Sequence, residues 1–176
     1  MRSFDLAALK KHLSAEDSMQ VIIRAHLYAE HVLYTLLTDA LPKAHLLDID
    51  RLGFATKARL CAAMALIPDV SLPVLVVLNS IRNNYAHKLN YELTRQDVEN
   101  LLNGFPSYAV DVMLSDEDGV TYTRKTVPLN RVLLVAVSLI EAHRLDFVEM
   151  KKSEREAIER LRVEIEKSKK FRDELE

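Results

Sequence analysis

Ser14-Ala15-Glu16-Asp17-Ser18-Met19-Gln20-Val21-Ile22-Ile23-Arg24-Ala25-His26-Leu27-Tyr28-Ala29-Glu30-His31-Val32-Leu33-Tyr34-Thr35-Leu36-Leu37-Thr38-Asp39-Ala40-Leu41 decides the fold class. Val21, Ile22, Ala25, Ala29, Val32, Leu33, Leu36, Leu37 and Leu41 recur at helical spacing, so one face of this stretch is continuously apolar. Ser14 followed three residues later by Asp17 has the form of a capping box, and Pro42 stops the run. The stretch therefore predicts a single helix of roughly 27 residues, about 40 Å long at 1.5 Å per residue. A helix of that length needs neighbours to bury its stripe, which points to a helical bundle or a dimer seam.

The flanking chain is read in the same way. Phe54 to Ile67 predicts a second helix with a small-residue face (Ala55, Ala58, Ala62, Ala63) that permits close approach, ended by Pro68. Ser71 can cap a third helix with Pro73 in its first turn, a buried stripe of Val74, Leu75, Val77, Leu78, Ile81 and Tyr85, and an end near Lys88. Thr94 and Asp97 predict the cap of a short fourth helix over Val98, Leu101 and Leu102, closed by Gly104 and Pro106. Beyond it, Tyr108, Val110, Val112 and Leu114 alternate, Ser115 to Gly119 has turn chemistry, and Val120 to Val127 is rich in β-branched residues; these predict a β-hairpin over about 108–127. Pro128 opens a last helix with a core face of Leu129, Val132, Leu133, Val135, Ala136, Leu139, Ile140, His143 and Phe147. In residues 151–176, 17 of 26 positions are charged, which fits a solvated helical extension or a partner-binding arm. The expected organisation is an all-α domain over 1–150, a four- or five-helix bundle with the inserted hairpin, followed by a long charged C-terminal helix over 151–176.

Composition removes several function classes. One cysteine makes neither an intramolecular disulfide nor a cysteine-based zinc site. The three glycines, Gly53, Gly104 and Gly119, are too far apart for a phosphate-cradling loop. Residues 1–5 lack the apolar core of a secretory signal, and the longest apolar run, Leu133 to Ile140, is interrupted by Ser138 and falls short of a membrane span. A net charge of -2 and a pI near 6.3 carry no global electrostatic footprint for nucleic acid. The expectation is a cytoplasmic protein with no membrane segment and no cofactor.

One string carries chemistry: Ile81-Arg82-Asn83-Asn84-Tyr85-Ala86-His87, at the C-terminal end of the third helix. Arg82 and His87 are five apart, about 140° around a helix, whereas Asn83 and His87 share a face. An imidazole beside a guanidinium suits phosphodiester chemistry: histidine moves a proton near neutral pH, and arginine holds the non-bridging oxygens as charge builds. RNA supplies its own nucleophile, the 2′-hydroxyl, so neither a metal nor a serine or cysteine nucleophile is required. The structural alternative is that Arg82, His87 and Lys88 merely complement the helix dipole.

The string Arg82-Asn83-Asn84-Tyr85-Ala86-His87, together with Tyr28-Ala29-Glu30-His31-Val32-Leu33 on a long first helix, resembles the HEPN superfamily over residues 14–103 and, more loosely, 128–147. That superfamily carries Arg, four intervening residues and His, often with a polar residue directly after the Arg; Arg82, Asn83 and His87 match in turn. The resemblance implies a helical bundle that homodimerises, with two motif copies forming one composite cleft. It implies a metal-independent endoribonuclease of toxin or phage-defence type, yielding a 2′,3′-cyclic phosphate and a 5′-hydroxyl, and an antitoxin or regulatory protein as partner. His87 would be the acid/base group, Arg82 would bind the phosphate and Asn83 would orient. Glu30 and Tyr85 would support the site, and Lys88 would contribute to RNA binding. Where one toxin subfamily carries a modifiable tyrosine two residues after the histidine, this chain has Leu89. The same scaffold, with a comparable motif, also occurs in non-catalytic regulators such as the mannitol operon repressor family.

Other residues fit simpler roles. His26 and Glu30 share a helix face but lack the third ligand a metal needs. His143 sits on an apolar stripe as a core or interface histidine, and Cys61 reads as a small buried hydrophobe.

Overall fold

The structure, a computed structural model, describes residues 3–115 and 121–173, with side chains described to residue 167. Its helices are α1 (Leu6–Leu13), α2 (Ser18–Ala40), α3 (Phe54–Ala63), α4 (Leu72–His87), α5 (Arg95–Asn103), α6 (Ser107–Leu114) and α7 (Leu129–Asp173). Among the described residues there is no β-strand, only an isolated bridge between Ser115 and Thr121. The fold is all-α, and among the described residues no helix is long and apolar enough to cross a membrane. The chain divides into two units, Met1–Arg144 and Leu145–Glu176.

The long helix starts later than its sequence pattern predicts. Leu9 and Leu13 bury the face of a separate helix, α1, and Ser14 terminates it: the Ser14 N–H donates to Lys11 O and its hydroxyl to Lys10 O. The N-cap of α2 is Asp17, whose Oδ1 accepts the Met19 N–H at 2.9 Å. Serine and aspartate are equally good caps, so local chemistry could not choose between them; burial of α1 did. The 23 residues of α2 carry nine buried side chains and pack against α1, α3 and α4.

The third predicted element, α4, forms where expected, but Ser71 does not cap it. A 3-10 turn over Asp69–Ser71 runs directly into α4, so Ser71 has helical backbone angles and its hydroxyl is buried without a partner. The cap of α5 is made as predicted, with Thr94 and Asp97 bonding reciprocally. At Gly104 a Cβ would lie 2.8 Å from Val74 Cα, so only glycine lets α5 close onto the start of α4.

The hairpin over 108–127 is not formed. Tyr108 to Leu114 is helix α6, behind Pro106, which occupies the N-cap position. Its buried residues are Ala109, Val110 and Met113, at spacing one and four, while Tyr108 and Val112 face solvent. Eight residues of mixed apolar character satisfy both periods, and the helical face is the one that buries more. The end of α6 is capped from outside: Arg131 donates Nε to Met113 O at 2.7 Å and also bonds Val112 O and Ser115 O. The expected turn falls largely at 116–120, outside the described residues. Of the second expected strand, Tyr122 N–H bonds Leu114 O, and Thr123–Thr126 forms a turn.

The predicted second helix also ends early, at Ala63, in a Schellman motif. Leu66 N–H bonds Cys61 O and Ala65 N–H bonds Ala62 O, which forces Ala65 to φ 53°. A left-handed L-residue costs about 1–2 kcal/mol, and glycine returns roughly half of that gain through its freer unfolded chain. Ala65→Gly is therefore expected to raise stability by about 0.5–1 kcal/mol in urea melts at unchanged m value. A loss of stability would show that the motif is not the helix stop.

Candidate functional site

The last two turns of α4 lie alongside α2, and each carries polar groups toward the other. On the α2 side, Val21, Ile22, Ala25 and Ala29 are buried in the core, which places His26 and Glu30 at the edge of the helix contact. His26 is itself buried, its ring stacked on Phe54 of α3 at 4.1 Å, with Nε2 3.2 Å from Asn79 Oδ1 and Nδ1 3.9 Å from a Glu30 oxygen. Burial lowers the His26 pKa from its ordinary 6.5, and Arg82 and Lys57 push the same way, against the Asn79 bond and Glu30. His26 is thus held neutral near pH 7.

Glu30 is engaged rather than free. Its Oε1 accepts from Lys57 Nζ at 2.7 Å, and the lysine is buried to 4% side-chain exposure while Glu30 keeps 31%. The pairing explains why a lysine is tolerated on the inner face of α3 beside Phe54, Ala58 and Cys61. Lys57 and Asn79 were not singled out from sequence. A lysine on the buried stripe of α3, between Phe54 and Ala58, is the signal that marks Lys57, and Asn79 stands one turn before Asn83 on the same face of α4.

The residues of the Arg82–His87 string are placed as follows. Arg82 is exposed, and its Nη1 donates to Asn83 Oδ1 at 3.2 Å. His87 is the last residue of α4 and is also exposed. No hydrogen bond joins Arg82 to His87: the guanidinium lies on the side whose charge is felt at His26, and the imidazole lies over a separate depression. That depression, of about 880 Å³, is lined by Ser18, Tyr85, His87, Lys88, Tyr91 and Glu92 among others. Tyr85 is half-buried, with its hydroxyl 2.9 Å from Ser18 Oγ and its ring edge-on to Tyr91 at 4.7 Å. Lys88 Nζ stands 6.0 Å from the Tyr91 ring. The Tyr91 hydroxyl is buried, and burial with the adjacent Asp97 carboxylate pushes its pKa up to about 12.

The arrangement offers a neutral imidazole tucked into packing (His26), an exposed imidazole at a helix end (His87), and an exposed guanidinium oriented by a neighbouring amide (Arg82 on Asn83). Among the described residues, no three His, Cys, Asp or Glu side chains converge as a metal would require. Cys61 is buried, and burial pushes its thiol up to about 12. Comparisons with protein-family models, with curated proteins and with solved structures return no match for this chain.

Proposed function

We propose that the chain is a metal-independent endoribonuclease whose centre is completed by a second copy, with the C-terminal ends of two α4 helices apposed. The observation that carries this reading is the solvent accessibility of both Arg82 and His87 on an otherwise well-packed helix. Neither is consumed by the core, and the single bond Arg82 makes, to Asn83, leaves most of its five donors free for phosphate oxygens.

The separation of Arg82 from His87 within one chain bears on how such a centre works. One protomer's guanidinium and its partner's imidazole would share a phosphate. The RNA 2′-hydroxyl gives its proton to one His87 and attacks phosphorus; the bond to the 5′-oxygen breaks, and that oxygen takes a proton from the other, protonated His87. Arg82 stabilises the charge on the non-bridging oxygens. The products are a 2′,3′-cyclic phosphate and a 5′-hydroxyl. The resemblance to the HEPN superfamily, with its toxin and defence ribonucleases, supports this reading, and an antitoxin-like partner belongs to it.

A second reading is a non-catalytic regulator or protein-interaction module on the same scaffold. It is favoured by the same separation, because one chain alone does not bring His87 to the Arg82 guanidinium. Incubation with structured and single-stranded RNA in EDTA separates the two. The nuclease cleaves under chelation, and His87→Ala lowers the rate by at least ~100-fold while secondary structure and oligomeric state persist. Absence of chelator-resistant cleavage in the wild-type protein leaves the regulator.

A further inference from the structure

We propose that the depression beside His87 is a nucleobase subsite that selects guanine, read by the Glu92 carboxylate. The proposal rests on the nuclease reading for the polymer it serves, but the walls of the depression come from a single chain. Its volume of about 880 Å³ falls within the range of about 300–1,000 Å³ that small-molecule sites occupy, so it holds a nucleotide rather than a lone ion. In the cleavage scheme His87 takes the proton of the 2′-hydroxyl. The base hangs from the adjacent sugar carbon, so it lies within one sugar of the imidazole. The concave surface that His87 lines is where that base arrives.

Two tyrosines give this surface the shape a planar base needs. The rings of Tyr85 and Tyr91 both line it, half-buried, with centroids 4.7 Å apart and planes at 84°. A base laid flat against one ring has its edge over the other, so the corner fixes both its plane and its depth. The hydrogen bond between the Tyr85 hydroxyl and Ser18 Oγ, at 2.9 Å, holds one wall in place before any ligand arrives. Lys88, exposed with Nζ 6.0 Å from the Tyr91 ring, supplies a cation for the phosphate. Stacking tolerates every base, so selection falls to the polar groups of the lining. Two of these are carboxylates, Asp17 and Glu92. Asp17 is committed to capping α2 through the Met19 N–H. Glu92 is exposed and makes no hydrogen bond or ion pair among the described residues. An ionised carboxylate only accepts. Guanine carries two adjacent donors on its Watson–Crick edge, N1–H and the 2-amino group, which match the two carboxylate oxygens. Adenine and cytosine set an acceptor nitrogen beside their one amino group, and uracil sets its N–H between two carbonyls, so each brings a lone pair against the carboxylate.

The test has two arms, both on the full chain. In the first, calorimetry measures binding of the 3′-monophosphates of guanosine, inosine and adenosine. Guanosine is expected to bind tighter than adenosine, and tighter than inosine, which lacks the 2-amino group, by about tenfold or more in each case. Glu92→Gln should remove the advantage over inosine, because the new amide N–H2 meets the 2-amino group donor against donor. Glu92 is exposed and outside any helix, so the variant keeps the fold. A merely structural role would weaken guanosine and inosine alike. In the second arm, RNA of mixed sequence is incubated in EDTA, and cleavage should fall on the 3′ side of guanosine, a preference that Glu92→Gln loses. Equal binding of the three nucleotides, or a guanosine preference that survives Glu92→Gln, would overturn the subsite. Chelator-resistant cleavage at every base would overturn it too, while the nuclease reading stands. Glu92-dependent guanosine binding with no cleavage would uphold the subsite and sink the nuclease reading instead.

Discussion

Glu141→Ala is expected to destabilise the chain by about 3 kcal/mol, the cost of removing one member of a buried ion pair whose other member keeps a weaker carboxylate contact. Glu141 and Arg144 expose only 4% and 5% of their side chains. Arg144 donates Nε and Nη2 to the two Glu141 oxygens, at 2.9 and 3.1 Å, and Nη1 to Asp39 of α2 at 3.3 Å. The same carboxylate accepts the Ser3 N–H and hydroxyl, so it ties the segment before α1 to α7. Removing it takes the bidentate partner from a guanidinium in the core, which keeps its contact to Asp39, and strips two hydrogen bonds from the N-terminal segment. Burial alone would raise the Glu141 pKa, but the bonds from Arg144 and Ser3 outweigh it and hold the carboxyl below its ordinary 4.5. A carboxylate whose folded pKa is depressed contributes stability that is complete above the unfolded value and is lost as pH falls through the folded one. The gap between wild type and Glu141→Gln in urea melts should therefore be constant above about pH 5 and shrink in more acid solution. A gap that widens in acid would show that the carboxyl is not held ionised by Arg144.

Glu30→Ala is the second large effect, about 3 kcal/mol, for a related reason. It leaves the Lys57 ammonium buried under α2 with its 2.7 Å partner gone. The partial exposure of Glu30 lets water reach the gap, which places the loss toward the lower end of the range for buried pairs. Replacing both members, Glu30→Leu with Lys57→Met, should recover most of the stability, because apolar groups of similar size need no partner. Recovery in the double variant, measured by denaturant melts, marks Glu30 as a structural counter-ion. If Glu30→Ala instead kept full stability and lost RNA cleavage, the carboxylate would act in the chemistry rather than in the fold.

The place of the Arg82–His87 string at the C-terminal end of an apolar helix was legible from sequence. Arg82, Asn83 and His87 stand at the end of an apolar helix because the stripe Val74, Leu75, Leu78 and Ile81 turns the intervening positions outward. Which way Arg82 leans was not legible. The 140° between positions 82 and 87 permits a wrapped contact, whereas the guanidinium bonds Asn83 and its charge reaches His26 of α2. Glu30 was expected to support the site; the structure pairs it with Lys57, which is 27 residues away and left no local signal.

Local chemistry in the chain was enough for the helical class, for the reciprocal Thr94–Asp97 cap, for the stop before Pro42, and for the run of α4 to His87, because each depends on backbone groups within about one turn. Tertiary contact decided the rest. Residues 107–114 are helix because Ala109, Val110 and Met113 find a core and Arg131, 18 residues from Met113, takes the end carbonyls. Asp17 rather than Ser14 begins α2 because α1 buries Leu9 and Leu13 first. Where two local solutions are nearly equal in energy, the buried surface and the distant hydrogen-bond partner choose between them.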